Sequence, residues 1–147
     1  MILKTLEESI IKLDFKIGKI DGKSMSLMII GPNTEKKVYS NLNEQFSCEI
    51  AITFPATVTL VLFNKGQNDT IVDKNQNVIE DKFIQLDRLQ VDNLECNSLY
   101  LKNKLKLTTT NGKVIHDNYW GFNGTVILDF SQKNSIFWAL ETNSVKP

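Results

Sequence analysis

Apolar and polar residues alternate with a period of two through much of this chain, the pattern of half-buried strands. Ile11, Leu13, Phe15 and Ile17 alternate with Lys12, Asp14 and Lys16, which predicts a first strand over 11–17. Asp21-Gly22, a favoured tight-turn dipeptide, separates it from the apolar run Met25 to Ile30, so a hairpin is expected there. Gly31-Pro32-Asn33 ends that run, because proline cannot donate to a ladder. Cys48, Ile50, Ile52 and Phe54 alternate with Glu49, Ala51 and Thr53, and Pro55 closes the segment. Thr57 to Phe63 is rich in β-branched residues and apolar on both faces, as expected of a central strand covered on both sides.

Within Phe83 to Asp92 the apolar phase changes: Ile84 and Leu86 share one face, Leu89 and Val91 the other. One extra residue between Asp87 and Arg88, a β-bulge, would bring both pairs to the same side. Tyr100 to Thr110, Thr125 to Phe130 and Phe137 to Leu140 supply the remaining strands, with Val126, Leu128 and Phe130 facing inward. Short strands at near-regular spacing and no convincing amphipathic helix predict an all-β fold, an antiparallel two-sheet sandwich of jelly-roll type. A single domain is expected over 11–142. A lead-in or arm over 1–10, where Thr5 and Glu8 have capping-box spacing, precedes it, and a loose tail over 143–147 follows.

The length of 147 residues, 41% of them hydrophobic, suits one core. Lys plus Arg and Asp plus Glu both number 17, so the electrostatic footprint of a nonspecific nucleic-acid binder is missing. Apolar runs such as Val58 to Phe63 fall far short of the roughly 18 residues that cross a bilayer. Acids among Met1 to Glu8 interrupt what a secretory signal would need, so synthesis in the host cytoplasm, with neither membrane nor nucleic acid as partner, is the expectation. Asn and Lys are over-used, Arg88 is the single arginine, and alanine occurs only at 51, 56 and 139. That skew disfavours helices and matches AT-rich coding, as in a virus of a marine or low-GC bacterium. Cys48 and Cys96 lack C-x-x-C spacing and are compatible with two buried thiols, the preferred reading, or with one disulfide.

Catalytic signals are weak. His116, the single histidine, follows the Asn111-Gly112 turn and stands beside Asp117 without any nucleophile motif, so it reads as a loop or strand-edge residue. The stretch Gly66 to Lys82 is more informative, because Asp69, Asp73, Glu80 and Asp81 are interleaved with Asn68, Asn75 and Asn77. Calcium takes six to eight hard oxygen ligands of this kind. Asp73-x-Asn75-x-Asn77 imitates the start of an EF-hand loop, but Val78 stands where that loop needs glycine and Ile84 where it needs a bidentate glutamate. The competing reading is a plain hairpin, the commoner outcome, with Ile71-Val72 and Val78-Ile79 as strand ends joined by turn-forming Asp73 to Asn77.

Phe63-Asn64, Asn68-Asp69 and Asp81-Lys82, followed by Ile84, Leu86, Leu89, Val91, Asp92 and Asn93, resemble a stretch of calcium-dependent, xylan-binding-type carbohydrate-binding modules. The resemblance implies a non-catalytic β-sandwich jelly roll that grips sugar hydroxyls partly through bound Ca2+. It implies Asp69 and Asp81 as calcium ligands with Asn68 as helper, and Asp73 joins them from the acidic loop itself. Lys82 and Asn93 depart from the arginine and glycine of that pattern.

An aromatic cluster, Tyr119-Trp120-Gly121-Phe122-Asn123-Gly124, offers rings that stack on sugars and amides that bond hydroxyls. Tyr119, Trp120 and Asn123 are therefore the ligand-binding candidates, although packing in the core is the preferred reading for Trp120 and still more for Trp138. Together these features predict a non-catalytic binding or assembly module, most concretely a phage virion protein such as a capsid decoration or tail accessory subunit. Its partners would be coat or tail proteins or glycans, and its location the virion surface. The alternatives are a free-standing calcium-dependent carbohydrate-binding protein and, less favoured for want of histidines, a small jelly-roll enzyme.

Overall fold

A computed structural model describes residues 8–144. In chain order the elements are β1 (Ser9–Gly18), β2 (Ser26–Ile30), β3 (Lys36–Tyr39), β4 (Gln45–Ile52), β5 (Ala56–Phe63), β6 (Thr70–Val72), β7 (Val78–Asp81), β8 (Phe83–Val91), β9 (Leu94–Glu95), α1 (Ser98–Asn103), β10 (Lys106–Thr109), β11 (Val114–His116), β12 (Tyr119–Trp120), β13 (Gly124–Phe130) and α2 (Ser135–Thr142). One sheet runs β12-β8-β1-β4, with β9 also on β8; the other runs β11-β10-β13-β5-β2-β3; β6 and β7 form a separate hairpin. Every pairing is antiparallel. Neighbours distant in sequence, such as β1 with β8 and β5 with β13, make this the all-β sandwich that the strand pattern predicts. Of the expected lead-in, residues 1–7 lie outside the described residues, as do 145–147 of the expected tail; Ser9 and Ile10 already belong to β1.

The two inner faces meet in one core. Ile11, Leu13, Phe15 and Ile17 of β1 and Ile84, Leu86, Leu89 and Val91 of β8 pack against Val58, Leu60 and Leu62 of β5 and Val126, Leu128 and Phe130 of β13. The bulge in β8 lies where the phase change predicts it: Asp14 pairs with Arg88 but Phe15 with Leu86, so Asp87 is the unpaired residue and both apolar pairs face inward.

Two expectations about strands are corrected. Asp21 and Gly22, at φ 52° and 72°, do make a tight two-residue turn closed by Ile20 and Lys23, yet β1 and β2 do not pair. The turn delivers them to opposite sheets, because each has an apolar face that the other sheet covers. β5 is central in its sheet, between β2 and β13, but only its Val58, Leu60 and Leu62 face is buried; Val61 and Phe63 are half-buried on the outer face.

Two further segments expected as strands are helical. Asn97 caps α1, its side-chain oxygen accepting from the Leu99 amide at 2.8 Å, so 98–103 coil before β10 begins at Lys106. Leu101 is the one buried residue of α1, and the buried Leu105 and Leu107 beyond it keep its parity, which is why alternation alone reads straight through the turn. Asn134 caps α2 in the same way, accepting from the Phe137 amide at 3.0 Å. Ser135, Trp138, Ala139 and Thr142 form the inward stripe of α2, while Ile136, Phe137 and Leu140 face outward. Trp138 lies 6.1 Å from Phe130, ring centre to ring centre.

Cys48 and Cys96 are unbonded. Burial pushes the Cys48 thiol up to about 11 and the Cys96 thiol up to about 12. At pH 8 the folded chain should therefore react with a chromogenic disulfide reagent far more slowly than the chain in denaturant; equal rates would contradict this packing. A strand over 137–140 would bury Leu140 beside Trp138, whereas α2 leaves it 65% exposed. Chemical denaturation should show Leu140→Ser within about 0.5 kcal/mol of the parent and Trp138→Ala destabilised by about 3–5 kcal/mol.

Candidate functional site

Four connections converge beside the β6–β7 hairpin: the exit from β5, the hairpin base, the β10–β11 turn, and the segment from Asp117 to Asn123. They border an open cavity of about 630 Å³ lined by Lys65, Asp81, Asn111, Tyr119, Phe122 and Asn123 among others. The chain leaves β5 through Asn64, whose left-handed φ of 67° is one that asparagine tolerates; its Nδ2 donates to Ser26 Oγ at 2.9 Å. Lys65 is then clamped by one side chain: its amide donates to Asn123 Oδ1 and its carbonyl accepts from Asn123 Nδ2, each at 2.9 Å.

This clamp aims the Lys65 ammonium at Asp81. Nζ donates to Asp81 Oδ1 and to the carbonyl of Gly121, and it lies 5.8 Å from the centre of the Phe122 ring. Asp81 Oδ1 also accepts from the Thr70 hydroxyl at 2.6 Å, and Oδ2 from the Tyr119 hydroxyl at 2.7 Å. The Lys65 and Asp81 side chains are 9% and 13% exposed, so this is a nearly buried ion pair with its remaining lone pairs satisfied. Removing one partner from such a pair costs about 3–5 kcal/mol, since the other charge is left uncompensated. Burial raises the Tyr119 phenol above its ordinary value and the hydrogen bond to the Asp81 carboxylate raises it further, so the phenol remains a donor. Its ring stacks on Phe83 at 4.5 Å.

The predicted metal ligands are dispersed over the hairpin. Asp69 Oδ2 accepts from the Gly66 amide at 2.7 Å, and Oδ1 pairs with Lys82 Nζ at 3.1 Å. The Gly66 hydrogen bond is the main reason that the Asp69 carboxyl sits below its ordinary value. Asp73 closes the turn at the far tip, with Oδ1 accepting from the amides of Asn75 and Asn77 at 2.8 and 2.9 Å. Thr70 pairs with Asp81 at the hairpin base, so Asp73 stands three residues further along, roughly 10 Å at the rise of a strand. Asn68 is exposed on the loop.

Calcium needs its oxygens at roughly 2.3–2.6 Å from one point. Here the carboxylates serve separate sets of N–H and O–H donors, two of them lysine ammoniums, and no group of three or more His, Cys, Asp or Glu side chains among the described residues is placed to hold a metal ion. The residues as arranged do not fit Ca2+. The loop has instead the hairpin form, with Ile71-Val72 and Val78-Ile79 in its two strands.

Of the predicted ligand-binding residues, Tyr119 faces the cavity and is 36% exposed, but Trp120 is fully buried and is withdrawn as a contact. The reason is local: Tyr119 and Trp120 are consecutive in β12, paired with Gln85 and Ile84, so they point to opposite faces. The Trp120 indole donates to the Asp117 carbonyl at 2.7 Å, inside the core. Asn123 lines the cavity, but both its polar atoms hold Lys65, which makes it a positioning residue. The sequence reading missed Lys65, Thr70 and Phe122. Phe122 is 54% exposed, and its place within the aromatic cluster was the available signal. Lys65 had none, because its partners lie 16 and 56 residues away in the chain.

No family model matches the chain, and no curated protein matches it. Among solved structures the chain is similar to vCBM60 in its selenomethionine form, described with the circular permutation that links two families of calcium-dependent carbohydrate binding modules. The TM-score is 0.51 at 10% identity, over 86% of this chain and 94% of that one. vCBM60 in complex with galactobiose is matched with a TM-score of 0.48 at 11% identity, over 82% of this chain and 97% of that one. At such identity the first likeness is one of fold: this chain is an all-β sandwich similar to that of vCBM60.

Proposed function

We propose that this chain is a non-catalytic glycan-binding module whose binding surface is the cavity beside the β6–β7 hairpin. The observation that carries the reading is the lining itself. Two partly exposed rings, Tyr119 and Phe122, stand among the exposed side chains of Gln67, Thr110 and Asn111 in a cavity of about 630 Å³. Sugars present C–H faces and hydroxyls in alternation, and they need flat apolar surface next to neutral donors and acceptors. The fold likeness to a carbohydrate-binding module supports the same class, and the xylan-type resemblance of the hairpin region makes xylo-oligosaccharides the first ligands to try. Lys65, Asp81 and Asn123 are largely committed to one another, which suits holding a ligand better than acid or base chemistry on it.

A second reading is a module that packs against another protein, of which a capsid decoration or tail accessory subunit of a virion is one case. Ile136, Phe137 and Leu140 form an outward apolar face on α2, the kind of surface that packs against another protein. Co-sedimentation with capsids or tails is the expected result if the virion case holds, and recovery only as free protein would defeat it.

Calorimetric titration with xylo-, cello- and galacto-oligosaccharides tests the glycan reading. At least one series should bind, and Phe122→Ala should weaken it up to about tenfold, the range of a single aromatic contact. Tyr119→Ala should do the same, whereas Ile136→Ala should leave the affinity unchanged. Absence of binding at millimolar sugar across all three series would overturn the proposal.

A further inference from the structure

The cavity rim is organised around a positive charge that the chain itself supplies. Lys65 Nζ meets a carboxylate oxygen, a peptide carbonyl and the face of an aromatic ring, and the carboxylate belongs to Asp81, for which the sequence resemblance implies calcium. Three elements depend on this ammonium. It ties the exit of β5 to the base of the hairpin through Asp81, and to the β12–β13 connection through Gly121. The place is filled to size, since a Cβ on Gly121 would come within 3.1 Å of Asp81 Oδ2 and 3.5 Å of Lys65 Nζ.

Charge leads to the same reading. Asp81 is matched by Lys65 and Asp69 by Lys82, Asp73 accepts from the amides of Asn75 and Asn77 and from the Asn77 side chain, and Asp117 turns Oδ1 to the amides of Asn118 and Tyr119. A divalent ion approaching Asp81 or Asp69 would meet an ammonium already in contact with the carboxylate, and like charges at contact distance repel. We propose that Lys65 is the resident cation of this rim: its ammonium takes the place at Asp81 that a divalent metal would need, so the rim assembles and binds its ligand without calcium. The ligand half of this inference rests on the glycan reading above; the assembly half does not.

The test uses the full chain, purified through chelator. Calorimetric titration with CaCl2 should give no saturable heat, and melting midpoints in saturating CaCl2 and in excess EDTA should agree within about 1 °C. A saturable rise of several degrees that chelator reverses would overturn the proposal. Lys65→Met keeps the apolar stem and removes the charge. Amide exchange in 64–82 and 117–123 should then quicken by about tenfold or more while the central β5 and β13 amides stay protected. Unchanged exchange in that variant would also overturn the proposal. Should the variant fail to fold, the calcium titration of the unaltered chain still decides. Sugar binding that is equal in CaCl2 and EDTA supports both readings, and binding that requires calcium sinks this one alone. A chain that binds no sugar, ignores calcium and loosens on Lys65→Met sinks the glycan reading alone.

Discussion

A strand can hand only every second side chain to the core, and most of this molecule follows from that constraint. Two sheets that each bury one face need an unbroken inward phase along every long strand, and where the sequence breaks phase in β8 the backbone takes an unpaired residue, Asp87, to restore it. In β12 the same rule parts two adjacent aromatics, sending Trp120 to the core and Tyr119 to the cavity. The binding surface and the core are thus made from consecutive residues, and the indole anchors the short strand that presents the phenol.

The rim poses a different problem, that of holding irregular backbone in place where no ladder runs. Its solution is electrostatic. Asn123 fixes the Lys65 backbone from both sides, and the nearly buried ammonium then joins segments that share no hydrogen-bonded strand pairing with one another. A charge so nearly desolvated is tolerable because each oxygen of Asp81 is satisfied, by Lys65 and Thr70 on one side and Tyr119 on the other. Tyr119 therefore belongs to both systems: its ring stacks on Phe83 and its hydroxyl completes the ion pair.

Both helices escape a reading by alternation, for separate reasons. In α1 Leu101 is the one buried side chain, and it shares the parity of Leu105 and Leu107, which follow the helix. In α2 the inward stripe is Ser135, Trp138, Ala139 and Thr142, mostly small or polar, while the larger apolar residues Ile136, Phe137 and Leu140 face outward. Hydrophobic periodicity finds a helix only when its apolar side is its inner side. The signals that were present are Asn97 and Asn134, each a helix cap hidden among many asparagines used as turn residues.

What the sequence determined by itself is local: the strands β1, β2, β4, β5, β8 and β13, the bulge between Asp87 and Arg88, the tight turn at Asp21-Gly22, the Asp73 to Asn77 hairpin turn, and hence an all-β sandwich. Each is set by residues within a few positions of one another, and side-chain period and turn chemistry act over that range. Only the tertiary structure decided that the Asp21-Gly22 turn carries the chain from one sheet to the other, that Trp120 is sealed while Phe122 is open, and that Asp69 and Asp81 meet lysines. Those outcomes depend on contacts between segments such as 65, 81 and 121. Residues tens of positions apart carry no mark of one another in the chain, because their pairing exists only once both sheets have closed around the core.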